Sequence, residues 1–279
     1  MRTNIAGRHE AFDRQLLADA GVVSLLVVFL TVVHVGLPAR QRSIFVFNHD
    51  AFEPWTLLTS AYVHHDVPHL VNNLAGFLIA AGVVYWLCWR LDARRWFRVT
   101  TATFVIALPI LVNVSSYAIF RVVVPAASPT GRGFSGVVAG FVGFLFAALV
   151  VWIATQTSRN IAVYLSEGIA VLIAWILALI YSGFELHVVG LTIVGVGFSG
   201  WGILTEIDPV RIRGQWRKSL SEVKVGFGLT LILLWFLIAL FPPNFTDGEV
   251  VTNIFAHAAG FVWGALIALI LRQGRSQLF

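Results

Sequence analysis

Four polar residues that could support acyl-transfer chemistry lie in long apolar stretches of this chain: His69, Asn73, Ser135 and His257. A strongly polar side chain inside a membrane is costly, so each of them is a candidate functional residue. A serine becomes an effective nucleophile when a nearby histidine accepts its proton. Residues four apart share one face of a helix, so His69 and Asn73 stack together.

Two sets of small residues accompany the serine and the histidine. Each set repeats every three or four residues, which forms a face that lets another helix approach closely. The sets are Gly136, Gly140 and Gly143 after Ser135, and Ala256, Gly260 and Gly264 around His257. Packing of these faces would bring serine and histidine within hydrogen-bond reach. Ser135 also begins its apolar stretch, where free backbone N–H groups can bind a developing oxyanion.

The composition indicates an integral membrane protein. The 279 residues are 58% hydrophobic and 12% charged, about half the charge of a soluble domain. The single cysteine, Cys88, excludes an intrachain disulfide. We assign the net charge of +5 to short loops that orient the chain rather than to nucleic-acid binding.

The apolar stretches predict an all-α polytopic bundle with eight transmembrane helices. Lipid offers no partners to backbone polar groups, so each stretch must be helical. The expected spans are 20–38, 69–89, 99–124, 134–154, 161–182, 186–205, 224–241 and 252–271. Pro109 lies inside the third span, where we expect it to kink the helix rather than to end it.

The arginines and lysines predict the orientation. With the N-terminus in the cytoplasm, fifteen of the nineteen basic residues fall in cytoplasmic segments, which favours cytoplasmic N- and C-termini. The expected parts are a cytoplasmic segment 1–19, a membrane domain 20–272 and a cytoplasmic tail 273–279. The polar groups then lie in the outer third of their helices. The short loops and tails suit a prokaryotic plasma membrane.

The ordered set of motifs resembles the rhomboid family of intramembrane serine proteases. The motifs are His69-x-x-x-Asn73, Gly133-x-Ser135-Gly136 and Ala256-His257-x-x-Gly260-x-x-x-Gly264, and the resemblance covers about 53–155 and 224–271. Glu53-Pro-Trp55-Thr56 is similar to the family's Glu-x-Trp-Arg loop motif, and His64 matches a further family histidine.

The resemblance implies a function and a role for each residue. Ser135 would be the nucleophile and His257 the general base. His69, Asn73 and the Ser135 backbone N–H would form the oxyanion hole. The substrate would be the transmembrane or juxtamembrane segment of another membrane protein. The resemblance implies no cofactor and no metal, and it leaves the oligomeric state open.

The chain departs from the family pattern in four places. Thr56 stands where the family often has arginine, and Ala139 stands where many members have an aromatic residue that packs on the catalytic histidine. The loop between the first two spans is shorter than usual. The basic family fold has six spans, so we expect an inserted helix pair at about 161–205.

Other interpretations of the polar residues stay open. His187-Val-Val-Gly190 also fits the family histidine motif, but His187 begins its span beside Glu185, so His257 is preferred as the base. Ser199, in a second Gly-Phe-Ser-Gly, is interpreted as a packing residue. A metal site at His64, His65 and His69 matches no recognised zinc spacing.

Two other functions remain possible at this stage. The first is a non-catalytic rhomboid-like protein that binds membrane clients, which Thr56 and Ala139 motivate. The second is a transporter or channel, which predicts polar residues along the whole depth of the spans. The candidate residues cluster near one face instead, so the transporter ranks last.

Overall fold

The computed structural model describes residues 3–123, 130–206, 216–243, 246–247, 250–251 and 253–276. The first two residues of the predicted N-terminal segment and residues 277–279 of the predicted tail lie outside this range. The helices, in chain order, are α1 (Thr3–Gly36), α2 (Ala39–Arg42), α3 (Thr56–Thr59), α4 (Val67–Arg90), α5 (Arg94–Val123), α6 (Ser135–Gln156), α7 (Arg159–Ser182), α8 (Leu186–Glu206), α9 (Trp216–Leu240) and α10 (Ile254–Ser276).

Short elements connect the long helices. They are two 3₁₀ turns, Ser43–Phe45 and Ser60–Tyr62, and the strands β1 (Phe47–Asn48), β2 (Thr130–Gly131), β3 (Thr246–Asp247) and β4 (Val250–Val251). Strand β1 pairs with β2 in antiparallel register, and β3 pairs with β4. The β1–β2 pair joins the segment that follows α1 to the segment that leads into α6.

Eight helices in the described residues are long and apolar enough to cross a membrane, which confirms the all-α polytopic prediction and its count. They are α1, α4, α5, α6, α7, α8, α9 and α10. The sequence placed the first boundary differently: α1 is one helix from Thr3, and its apolar part runs from Gln15 to Gly36. Helix α5 continues through Pro109, as expected.

Capping side chains start three of the long helices. Asp66 Oδ1 accepts the His69 N–H of α4 at 2.8 Å, Ser158 caps α7, and Asn253 Oδ1 accepts the Ala256 N–H of α10 at 2.9 Å. The first N–H groups of a helix have no intrahelical partner, and lipid cannot supply one. These caps therefore satisfy donors at the places where the chain enters the apolar region.

Helix α6 is the centre of the bundle. It is buried along most of its length and is surrounded by α4, α5, α7, α9 and α10. Its glycines meet those of α10, as the small-residue spacing predicts. A Cβ on Gly264 would lie 2.5 Å from the Gly140 Cα, and one on Gly260 would lie 3.1 Å from the Ala139 Cβ. Only glycine allows so close a backbone approach.

Helices α7 and α8 form a peripheral pair. They pack mainly on each other, and α7 joins the pair to α6. Ser199 of α8 is buried against Gly168 of α7, a packing position. These two helices cover the range, about 161–205, that is predicted to be an addition to a six-helix core.

Polar contacts tie helices together at the end of the bundle away from Ser135. Arg90 of α4 and Glu222 of α9 form an ion pair at 3.0 Å. Arg98 of α5 and Tyr85 of α4 both donate to Asp19 of α1. Asp19 is only 4% exposed, so the last residue of the predicted cytoplasmic segment is part of the packed bundle.

Candidate active site

A cavity of about 700 Å³ lies at the end of the bundle where α6 begins. His69 and Asn73 of α4, Ser135 of α6 and His257 of α10 all line it. The four side chains come from three helices that are distant in sequence. The structure therefore brings together the residues that the sequence selected for chemistry, while their catalytic roles stay a prediction.

The turn before Ser135 is shaped by Gly133. Its φ of +110° is a conformation that side-chain-bearing residues rarely adopt, and a Cβ there would lie 2.6 Å from the His69 ring. The Gly133 N–H donates to the Ser60 carbonyl at 2.9 Å. This turn places Ser135 at the first position of α6, half-buried at the cavity wall, and the Val137 and Val138 N–H groups both donate to the Phe134 carbonyl.

The His257 ring is held by the backbone of a neighbouring helix. The side chain is 7% exposed, and its Nδ1 lies 2.6 Å from the carbonyl oxygen of Leu240, the last residue of α9. A carbonyl can only accept, so Nδ1 carries the proton and Nε2 keeps its lone pair for the role of base. The Phe241 ring meets the imidazole edge-on at 6.2 Å. Ala139, where the family often has an aromatic residue, packs on Gly260.

Ser135 and His257 line one cavity without a direct hydrogen bond between them among the described residues. Hydrogen bonds of a catalytic pair are often long in the absence of substrate and shorten when it binds. The missing bond is therefore compatible with a catalytic pair and with a non-catalytic one.

Asn73 directs an unsatisfied amide to the serine turn. The residue is 6% exposed, and its Nδ2 is buried with no hydrogen-bond partner in the described residues. A Cβ on Gly133 would lie 3.4 Å from this nitrogen. A buried donor without an acceptor is costly, and such groups occur where a ligand or a transition state supplies the acceptor.

His64 accepts a backbone hydrogen bond from the turn that precedes Ser135. Its Nε2 accepts the Phe134 N–H at 3.3 Å, so its proton is on Nδ1. Burial lowers the pKa of His64 to about 3, which keeps the ring neutral. The His64 ring contacts the His69 ring at a centroid distance of 5.2 Å.

Two polar residues of the site were missed by the sequence analysis. Asn113 of α5 lines the cavity and donates to the Leu57 carbonyl and the Ser60 hydroxyl, at 2.8 and 2.9 Å. Asn253 donates to Ser116 Oγ at 2.7 Å and so fixes the start of α10 against α5. The cost of a polar side chain in an apolar span would have selected Asn113.

His187 and Thr56 are not among the residues that line the cavity, whereas His65 and His69, two of the residues considered for a metal site, are. His187 is exposed at the start of α8, with its Nδ1 3.8 Å from the Glu185 carboxylate. Thr56 is buried and donates to the Glu53 carbonyl at 2.6 Å. In the described part of the chain, no group of three or more histidine, cysteine or acidic side chains is placed to hold a metal ion.

The fold and the cavity define a polytopic membrane protein with a polar recess at one end of its bundle. Comparison with family models, with curated proteins and with solved structures gives no match. The functional assignment therefore rests on the geometry of the cavity.

Proposed function

We propose that the chain is a rhomboid-type intramembrane serine endopeptidase, in which Ser135 is the nucleophile and His257 is the general base. The observation that carries this proposal is the cavity where Ser135, His257, His69 and the unsatisfied Asn73 amide meet. Nucleophile, base and oxyanion donors are the minimum set for acyl transfer without a cofactor.

Each step uses a group at the cavity wall. His257 Nε2 takes the Ser135 hydroxyl proton as Oγ attacks the scissile carbonyl carbon. The Ser135 N–H, the Asn73 amide and His69 stabilise the resulting oxyanion. His257 then gives its proton to the leaving amine, which leaves an acyl-enzyme on Ser135. A water molecule, deprotonated by His257, hydrolyses this ester and restores the serine.

The cavity walls suit a substrate that arrives through the bilayer. Residues of α4, α5, α6, α9 and α10 line the cavity, and its apolar lining includes Gly76 and Ile79 of α4 and Trp235 and Phe236 of α9. A transmembrane or juxtamembrane segment, unwound near the serine, can present its backbone carbonyl there. The lipid bilayer is then the route of the substrate as well as the solvent of the enzyme.

The proposal includes the rhomboid core and its orientation. Helices α1, α4, α5, α6, α9 and α10 would form the six-helix core, with α7 and α8 as the added pair. The charge distribution supports cytoplasmic termini, with cleavage near the outer face of a prokaryotic plasma membrane.

A second candidate is a non-catalytic protein that binds membrane clients in the same cavity. The missing hydrogen bond between Ser135 and His257 in the described residues favours it, as do Thr56 and Ala139 at family positions. The two candidates share the cavity and differ in whether the serine reacts.

Cleavage of a fluorogenic transmembrane substrate by the purified protein in liposomes separates them. We expect wild-type activity that is lost in Ser135→Ala and His257→Ala and kept in His187→Ala, the matched histidine control. Loss with His187→Ala alone would move the base to α8. Peptides that bind without being cleaved would support the client-binding candidate.

A further inference from the structure

Arg132 is a cationic side chain at the cavity that the proposed chemistry does not use. It lies three residues before Ser135, lines the same cavity, and has an exposed side chain. Among the described residues it makes no hydrogen bond and no ion pair. Arginine presents a planar fork of donors that matches a carboxylate, so an arginine without a hydrogen-bond partner in the described residues at this cavity is available to bind one.

The carboxylate of the cavity does not fill this role. Asp66 is the one acidic residue among the described cavity-lining residues, and both of its oxygens are used. Oδ1 accepts the His69 N–H at 2.8 Å, and Oδ2 lies 3.0 Å from His65 Nδ1. These two contacts hold the pKa of the Asp66 carboxyl below its usual value.

Two charged groups act on Arg132: Arg42, which disfavours its charged form, and more weakly Asp66, which favours it. Arg42 lies close enough to interact electrostatically with Arg132, and its guanidinium donates to the His34 and Leu37 carbonyls at the end of α1. Partial desolvation lowers the pKa of Arg132, because the charged form loses water that no protein group replaces. A carboxylate of a bound substrate would replace the water that the Arg132 guanidinium has lost.

We propose that Arg132 is a specificity-determining residue that binds an acidic side chain of the substrate close to the scissile bond. The inference rests on the proposed substrate site and names the substrate class: membrane segments with aspartate or glutamate near the cleaved bond. Arg132 and Ser135 are three residues apart, and an extended chain advances about 3.4 Å per residue. The acidic residue therefore lies within about three residues of the cleaved bond.

Peptide binding tests the inference without depending on catalysis. The Ser135→Ala protein is placed in zwitterionic phosphatidylcholine nanodiscs with fluorescent transmembrane peptides that carry glutamate or glutamine at one position at a time. We expect about fivefold tighter binding of one glutamate peptide, the size of a partly exposed charge pair. The preference disappears with Arg132→Gln, returns with Arg132→Lys, and persists with Arg40→Gln, an exposed arginine outside the cavity.

Reversal of the charge gives a second readout. Arg132→Glu is expected to prefer a lysine peptide at the position where wild type prefers glutamate. Equal binding of glutamate and glutamine peptides at every position, or a preference that survives Arg132→Gln, would overturn the inference. A parallel cleavage assay with intact Ser135 separates the two proposals: an acidic preference in binding with no cleavage supports this inference and contradicts the protease.

Discussion

His257 Nδ1 lies 2.6 Å from the Leu240 carbonyl, so the ring orientation of the candidate base depends on the last residue of the neighbouring helix α9. The serine triad of soluble proteases uses a carboxylate for this purpose. Here a neutral carbonyl fixes the tautomer and leaves Nε2 unprotonated for catalysis.

The contact of Phe241 with the imidazole should matter for rate. Phe241 is buried and follows Leu240 directly, so Phe241→Leu would loosen the carbonyl that holds the ring. We expect kcat to fall about tenfold with little change in KM, because misplacement of a catalytic group affects the transition state most. Ile238→Ala, at an exposed position of α9, is the control. Equal loss in both variants would contradict a specific role for the end of α9.

Removal of the Asn73 amide should separate activity from stability. Asn73→Ala takes away a donor that has no partner in the described residues, so the free energy of unfolding should not fall. We expect kcat to drop by about 10²–10³-fold, the usual effect of losing one oxyanion donor. Steady-state cleavage and thermal unfolding of the same preparation measure both quantities. Asn160→Ala is the control. It removes the hydrogen bond from Asn160, at the start of α7, to Glu206, and kcat should not change.

The glycine contact between α6 and α10 should tolerate no added methyl group. Gly264→Ala would force a carbon against the Gly140 backbone, which costs about 1–3 kcal/mol in a packed core. We expect a lower unfolding temperature, measured by the reaction of buried Cys88 with a thiol-reactive dye. Gly228→Ala on α9 has open space around the new methyl and is the matched control. Equal stability of the two variants would contradict the close helix contact.

The neutral state of His64 predicts a dependence of stability on pH. The folded pKa of about 3 lies below the unfolded value of about 6.5, so between these values the unfolded state binds the extra proton. The stabilisation of the folded state by neutral His64 is therefore fully present above about pH 6.5. The free energy of unfolding then falls progressively as the pH decreases toward 3. Tryptophan fluorescence during heating at pH 7.5 and pH 5 measures this change.

His64→Gln supplies an acceptor for the Phe134 N–H but does not titrate. We expect the difference in unfolding temperature between pH 7.5 and pH 5 to shrink in this variant. The exposed His187→Gln should keep the wild-type difference. An unchanged pH response in His64→Gln would contradict the buried neutral histidine.

The sequence predicted the elements better than their contacts. Lack of charge over about twenty residues identifies a span because lipid allows only a helix there, so eight helices could be counted. The spacing of Gly136, Gly140, Gly260 and Gly264 also predicted which two helices meet. The uncharged stretches and the glycine spacing can each be read from residues close together in the sequence. The first allows only a spanning helix, and the second indicates a helix face for close packing.

Contacts made by the backbone could not be predicted in this way. The Leu240 carbonyl that holds His257 has no signature in the side chains, because every residue carries a carbonyl.

The burial of Asp19 depends on Tyr85 and Arg98 from other helices, and its position near charged N-terminal residues suggested a solvated segment instead. The contact of Asp66 with His65 is between neighbouring residues, whereas the position of Arg132 at the cavity is a product of the tertiary fold.

Covalent labelling determines whether Ser135 is an activated nucleophile. The purified protein is treated with an isocoumarin inhibitor, and the modified residue is located by mass spectrometry in wild type, His257→Ala and His187→Ala. The proposed protease predicts modification at Ser135 in wild type and His187→Ala, and its loss in His257→Ala. A folded wild-type protein that is not labelled at Ser135, or labelling that does not depend on His257, would contradict the account.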